Sequence, residues 1–264
     1  LMKTRFLVIP PFRIEKKDTD VDFLFPLKGF CVGFKHEYDY QDIPSDSYVY
    51  VNRLLDTSSL EALGNILEES SFRGIVFEDL GVLEYIREKE LEIETILYAT
   101  HASCSLKTVD TYLDYCDTVV LSLDITKEET DLIVSQAKRP VSLYIYGPIA
   151  YMYSRRTLLS NYENHFDLPV NKELSLEEEM TRKAFLGIEN AFGTVLFDKC
   201  LFDGRILMEN EGIRYALVNL DWEEDLDFDG WFREFLDGKA LPNTTDAFLQ
   251  QKTIYRLPPK GSSS

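Results

Sequence analysis

Thr118-Val119-Val120-Leu121-Ser122-Leu123 is a run in which apolar residues follow one another instead of alternating with polar ones. A strand with one wet face alternates; a strand covered on both faces does not. Val141-Ser142-Leu143-Tyr144-Ile145-Tyr146 has the same character. Both runs predict parallel strands packed between other layers, and helices on the crossover connections are what normally covers such strands.

Working outward, the chain between residues 47 and 146 alternates strand-like and helix-like segments. Ser47-Tyr48-Val49-Tyr50-Val51, Gly74-Ile75-Val76-Phe77 and Thr95-Ile96-Leu97-Tyr98 are β-branched and aromatic, as strands prefer. Ser58-x-x-Glu61 has a capping-box pattern, and Leu60, Leu63, Ile66 and Leu67 follow at helical spacing. Segments 82–90 and 105–115 predict two more helices, and Thr126-x-x-Glu129 caps a third that carries Leu132 and Ile133. The five strands start at 47, 74, 95, 118 and 141, at intervals of 21–27 residues.

Two architectures fit this rhythm: an open doubly wound sheet and a closed βα barrel. No G-x-G-x-x-G follows the first strand, so the dinucleotide-binding signature is absent. Short, even units in a chain of 264 residues favour the α/β class with a TIM-type βα barrel. The expected organisation is one domain over residues 1–256 and a flexible Gly-Ser tail at 257–264. Regularity ends after Tyr146. Residues 151–180 are polar and irregular and predict an insertion late in the barrel, of the kind that forms a functional loop or lid. Beyond it, 193–197 predicts a strand, 198–211 a helix, 213–220 a strand and 231–236 a short helix.

The chain has 28 Lys+Arg against 46 Asp+Glu, a formal net charge of −18. That surplus disfavours nucleic acid and anionic membranes as partners, while leaving room for a local basic pocket. Asp221, Glu223, Glu224, Asp225, Asp227 and Asp229 form an acidic run. It reads either as a solvated face or as a divalent-cation site, and it lacks the Gly-centred loop of a calcium site. No apolar run approaches the ~18–20 residues that span a bilayer. Residues 6–9 are too short an apolar stretch for a signal peptide, so a cytoplasmic protein is expected. Cys31, Cys104, Cys116 and Cys200 form no CxxC pair and read as small buried hydrophobes.

In a parallel barrel the chemistry sits at the C-terminal strand ends. Those ends supply Glu78 and Asp79, then His101, then Asp124, then Arg155, Arg156 and Ser160. Glu78-Asp79 is either a carboxylate pair with split pKa values or, for the Asp, the cap of the next helix. His101 is either a general base or a hydrogen-bonded structural residue, and Asp124 either a site residue or a cap. Arg155-Arg156 can clamp a carboxylate or phosphate, or pair with the chain's own surplus acids. Ser160 has no Gly-x-Ser-x-Gly elbow around it. His165 lies in the polar insertion and is expected to be exposed.

The stretch Tyr144-Ile145-Tyr146-Gly147-Pro148, continuing through Ser154-Arg155-Arg156-Thr157-Leu158-Leu159-Ser160-Asn161-Tyr162, resembles the core signature of peptidase family U32, the collagenase-like peptidases. Phe77-Glu78-Asp79-Leu80-Gly81, Ala99-Thr100-His101-Ala102-Ser103, Leu121-Ser122-Leu123-Asp124-Ile125-Thr126, the segment 189–197 and the segment 247–256 resemble further pieces of that family in the same order. The resemblance covers about residues 45–256 and implies a TIM-type barrel. It also implies a protease or, as in other members, a protein of RNA-base or quinone hydroxylation with an iron–sulfur cluster on four cysteines. Here Thr157 stands where the family has a cysteine, and 157–199 contains none. Leu217-Val218-Asn219-Leu220-Asp221 replaces the family's Lys-Ile-Glu-Gly-Arg strand. A cluster is therefore not expected.

The resulting expectation is a peptide hydrolase with an unproven or degenerate active site. Glu78, Asp79, His101 and Asp124 are the candidate catalytic residues, with carboxylate or divalent-metal assistance. Tyr146, Arg155, Arg156, Ser160 and Tyr162 are the candidate substrate-binding residues, for a peptide or a small anionic ligand. No cofactor is predicted and no metal ligand is assigned. The alternatives are a non-catalytic partner of a cluster-bearing homologue and an accessory protein in RNA-base or quinone hydroxylation.

Overall fold

The computed structural model describes residues 4–11, 21–179, 182–223 and 226–251. The tail expected at 257–264, the segment 252–256, and Glu224 and Asp225 of the acidic run lie outside these residues.

The predicted βα units are present. β3 (Tyr48–Val51), β4 (Gly74–Phe77), β5 (Glu94–Leu97) and β6 (Thr118–Val119) alternate with α1 (Thr57–Glu69), α2 (Leu80–Glu88) and α3 (Leu106–Tyr112), and α4 (Lys127–Gln136) leads into β7 (Leu143–Ser154). β3 and β4 are buried at every position, as unbroken apolar runs require. Thr126 and Glu129 form the capping box expected of them. The box expected at Ser58 does not start α1. Asp56 does, its carboxylate accepting from the Ser59 amide at 2.8 Å. Asp is an equally good cap, and only one residue can occupy the position.

Two buried strands precede the regular units, β1 (Arg5–Ile9) and β2 (Val21–Pro26). β11 (Tyr215–Asn219) inserts between β1 and β7. The parallel order is β6-β5-β4-β3-β2-β1-β11-β7. The sheet curls, and an isolated bridge links the residue after β6 to the residue before β7. Val120 and Ser142 form a parallel bridge; Leu121 N–H donates to the Ser142 carbonyl at 3.0 Å and Ser142 N–H to the Val119 carbonyl at 2.8 Å. The strand expected over 118–123 is thus shorter than its apolar pattern. Beyond Val120 the chain turns outward, with the Ser122 hydroxyl accepting from the Asp124 amide.

The segment expected to be an irregular insertion is ordered. β7 runs on to Ser154 and pairs antiparallel with β10 (Gly193–Asp203). α5 (Leu158–His165), β8 (Glu173–Glu177) and β9 (Ala184–Asn190) complete an antiparallel extension in the order β7-β10-β9-β8. The helix expected over 198–211 is not formed. β10 continues to Asp203, β12 (Thr244–Thr245) pairs beside it, and only 205–209 form a 3-10 turn. Pairing with β7 satisfies the backbone there, and the Asp198 carboxylate takes the Cys200 amide at 2.9 Å where the register slips. α6 (Phe228–Leu236) follows β11, with its Phe232 edge-on to Phe6 at 5.0 Å.

The N-terminal end of the parallel strands is plugged. Tyr48 donates to Glu94 at 2.6 Å, Tyr48 and Tyr215 share a hydrogen bond at 2.8 Å, and Arg214 pairs with Glu94. No helix among the described residues is long and apolar enough to cross a membrane.

Candidate active site

Register sets the site. Val51, Phe77, Leu97 and Val119 lie side by side at the C-terminal ends of β3 to β6. Each following residue therefore emerges at the same level, and Asn52, Glu78 and Tyr98 do so around one cavity of about 260 Å³. Thr100, His101 and Asp124 complete its polar floor.

Glu78 is half-buried. Burial pushes its carboxyl up to about 7, although a hydrogen bond from Thr100 and the charge of His101 oppose the shift. His101 and Asp124 sit exposed at the rim, with Nδ1 and Oδ2 2.6 Å apart. The same Asp124 oxygen accepts from the Ser122 hydroxyl at 3.1 Å, which orients the carboxylate toward the imidazole. Tyr50, Tyr98 and Tyr144 are buried against this floor. Burial first, and Glu78 nearby for Tyr50 and Tyr98, push their hydroxyls up, so they remain donors. Gly147, at φ +134, lets β7 pass the site; a Cβ there would lie 2.4 Å from the Tyr144 hydroxyl and 2.7 Å from the Asn219 carbonyl.

The structure brings Glu78, His101 and Asp124 together and places the other candidates elsewhere. Asp79 caps α2, its two oxygens accepting from Gly81 N–H at 2.8 Å and Leu55 N–H at 2.7 Å. Tyr146 faces away from the cavity. The register between β7 and β11 slips by one residue between Tyr144 and Tyr146, and such a bulge reverses the facing of the residues beyond it. Its hydroxyl donates to Glu223 at 2.7 Å and its ring packs on Trp231 at 5.2 Å. Arg155 and Arg156 are exposed beyond the end of β7, Arg155 near Asp56 at 3.7 Å. Ser160 donates to the buried Glu189 at the start of α5, and Tyr162 lies exposed against Phe166 at 4.9 Å. His165 is exposed, as expected. Tyr50, Tyr98, Tyr144, Asn52 and Asn219 were not singled out from the sequence. For Asn52, Tyr98 and Asn219 the available signal was a position at or just past a strand end, whereas Tyr50 and Tyr144 lie within strands.

Among the described residues, no group of three or more His, Cys, Asp or Glu is arranged to hold a metal ion. The floor residues do not form a ligand set. Cys31 and Cys116 are buried and Cys104 and Cys200 are partly exposed, all four as free thiols. Cys31 donates to the Tyr50 carbonyl at 3.0 Å and Cys116 to the Tyr112 carbonyl at 3.3 Å. These residues do not fit the four-thiolate cradle of a cluster.

The structure is a parallel α/β sheet with an antiparallel extension, and ionisable side chains gather at the C-terminal ends of its parallel strands. A sequence profile of peptidase family U32 matches residues 31–169, a span that contains Glu78, His101 and Asp124, and the chain belongs to that family. Among solved structures it is similar to the U32 peptidase Mk0906, with 13% identity and a TM-score of 0.49 over 83% of this chain and 92% of that one. It is also similar to a chitinase from Chromobacterium violaceum, with 11% identity and a TM-score of 0.32 over 74% and 81%. No curated protein matches the chain.

Proposed function

We propose that the chain is a peptide hydrolase acting at the strand-end cavity. The observation that carries this reading is the His101–Asp124 pair at 2.6 Å beside a Glu78 carboxyl held up to about 7. One oriented nitrogen base and one carboxyl that keeps its proton near neutrality are what general acid–base catalysis uses. Membership of a peptidase family supports the peptide as substrate class.

In this reading the Nδ1–H of His101 donates to Asp124, which leaves Nε2 as the acceptor. Nε2 takes a proton from water as the water oxygen attacks the scissile carbonyl. Protonated Glu78 gives its proton to the leaving nitrogen as the C–N bond breaks. The proton on Nε2 then returns to Glu78 through solvent, and both groups are restored. Tyr144 spends its hydroxyl proton on the Pro148 carbonyl at 3.1 Å, which leaves Tyr50 and Tyr98 as the buried tyrosine donors for the developing oxyanion. The curled sheet is read as a TIM-type barrel, a reading supported by the two hydrogen bonds across the Val120–Ser142 bridge.

The test is peptide cleavage by single variants. His101→Ala and Glu78→Gln are each expected to lower kcat/KM on a mixed peptide library by about 100-fold or more. Wild-type cleavage by the Glu78→Gln, His101→Ala double variant overturns the assignment.

A further inference from the structure

The cavity has two chemically unlike halves. Its floor is polar, with Glu78, His101 and Asp124. The opposite wall is apolar and comes from the antiparallel extension: Ala150 and Met152 on β7, Val195 and Phe197 on β10, with Phe34 and Leu54 from the loops after β2 and β3. Leu54 and Met152 remain 44% and 39% exposed at the mouth. Apolar side chains left wet around a concave, otherwise polar site mark where an apolar group is received.

The wall is built to hold its shape. Phe197 lies against the backbone of Gly33, whose φ is +86; a Cβ there would fall 2.6 Å from the ring. Phe197 also meets Trp222 edge to face at 5.1 Å, and Phe34 meets Tyr50 the same way at 5.4 Å. The rings are in place before any ligand arrives, which lowers the entropy cost of binding. No Lys or Arg lines the cavity among the described residues. An acidic side chain would therefore meet Glu78 and Asp124 without a counter-charge.

We propose that this apolar wall is a specificity subsite that receives the bulky, preferably aromatic, side chain of a peptide residue flanking the bond to be cut. The placement of that bond rests on the hydrolase reading above; the affinity for the side chain does not. A volume of about 260 Å³ suits one large side chain. A ring there would stack against Phe197 and Phe34 while its backbone lay over His101.

Binding tests this without turnover. The probes are the Nα-acetyl-N-methylamides of phenylalanine, alanine, lysine and glutamate, followed on the intact compound by ligand-observed NMR. The phenylalanine probe is expected to bind at least about ten-fold tighter than each of the others. Ala150→Leu, which places bulk in the wall opposite Phe197, should weaken the phenylalanine probe about ten-fold and leave the alanine probe within about two-fold. Should that variant not fold, Met152→Glu at the exposed rim carries the same expected loss. Equal affinity for phenylalanine and alanine overturns the subsite. So does a lysine probe that binds as tightly as phenylalanine, because the carboxylates of the floor would then be selecting the ligand. Ring-selective binding with no peptide cleaved keeps the subsite and removes the hydrolase, whereas cleavage without ring selectivity removes the subsite alone.

Discussion

Glu78 and Asp79 are neighbours in the chain with opposite surroundings. Glu78 follows the strand into the cavity, where burial favours its neutral form. Asp79 turns back and spends both oxygens on backbone amides. Their variants should therefore diverge. A carboxyl whose folded pKa is raised weakens the fold as pH climbs from the unfolded value of about 4.5 through about 7. Glu78→Gln is expected to stabilise the protein at pH 8 by up to about 3 kcal/mol and to be neutral below about pH 4, as urea denaturation at the two pH values would show. Asp79→Ala removes a helix cap and should cost about 1–2 kcal/mol at pH 8. A proton-transfer role for Asp79 would instead alter the pH–rate profile, and the capping role predicts an unchanged one.

At the scale of elements, α5 owes its start to a residue 30 positions away. Glu189 on β9 accepts from the Leu159 amide at 2.8 Å, from the Ser160 amide and hydroxyl, and from the Thr194 hydroxyl, with Lys172 at 3.3 Å outside. Burial raises its pKa, but these donors outweigh burial and hold the carboxyl below its usual range. Its stabilising contribution is therefore present above about pH 4.5 and lost as pH falls through the folded value. Glu189→Ala is expected to cost about 3 kcal/mol at pH 7, because several donors lose their buried acceptor. The cost should shrink below pH 4, measured as the difference in denaturant midpoint from wild type. Because β9 and β10 carry this anchor, the extension that supplies the apolar wall of the cavity would loosen with it.

For the whole molecule the seam between β6 and β7 is the thinnest join in the parallel sheet. One bridge with two backbone hydrogen bonds holds it, supported by the Thr118 and Ser142 hydroxyls at 3.0 Å, whereas β3, β4 and β5 pair along their full lengths. Local opening follows the least-bonded contact. The amides of Leu121 and Ser142 are expected to exchange with deuterium faster than those of Ile75 and Ile96, both in the central strands. The reverse order would place the weak point elsewhere. The N-terminal plug around Glu94 closes the other end and leaves the strand-end mouth as the side open to ligand.

The sequence by itself determined the parallel units between residues 47 and 146 and the level at which chemistry emerges from them. Continuous apolar runs and a correct Thr126 cap are local signals, and local signals survive translation into strands and helices. It also offered Glu78, His101 and Asp124, which lie within five residues of a parallel strand's C-terminal end and line the same cavity. Facing and pairing over distance lay beyond it. The slip opposite β11 turned Tyr146 outward and left Tyr144 inside. The polar segment 151–180 became ordered through pairing of β7 and β9 with β10, partners that no local period reveals. β1 and β2 are longer than β3 but precede the evenly spaced units, and their place between β3 and β11 is set by pairing across the sheet. The net charge of −18 says what the surface resists. Only the tertiary structure placed Glu78, His101, Asp124 and an apolar wall around one cavity, because contacts between residues far apart in the chain are set by backbone pairing across strands and not by sequence spacing.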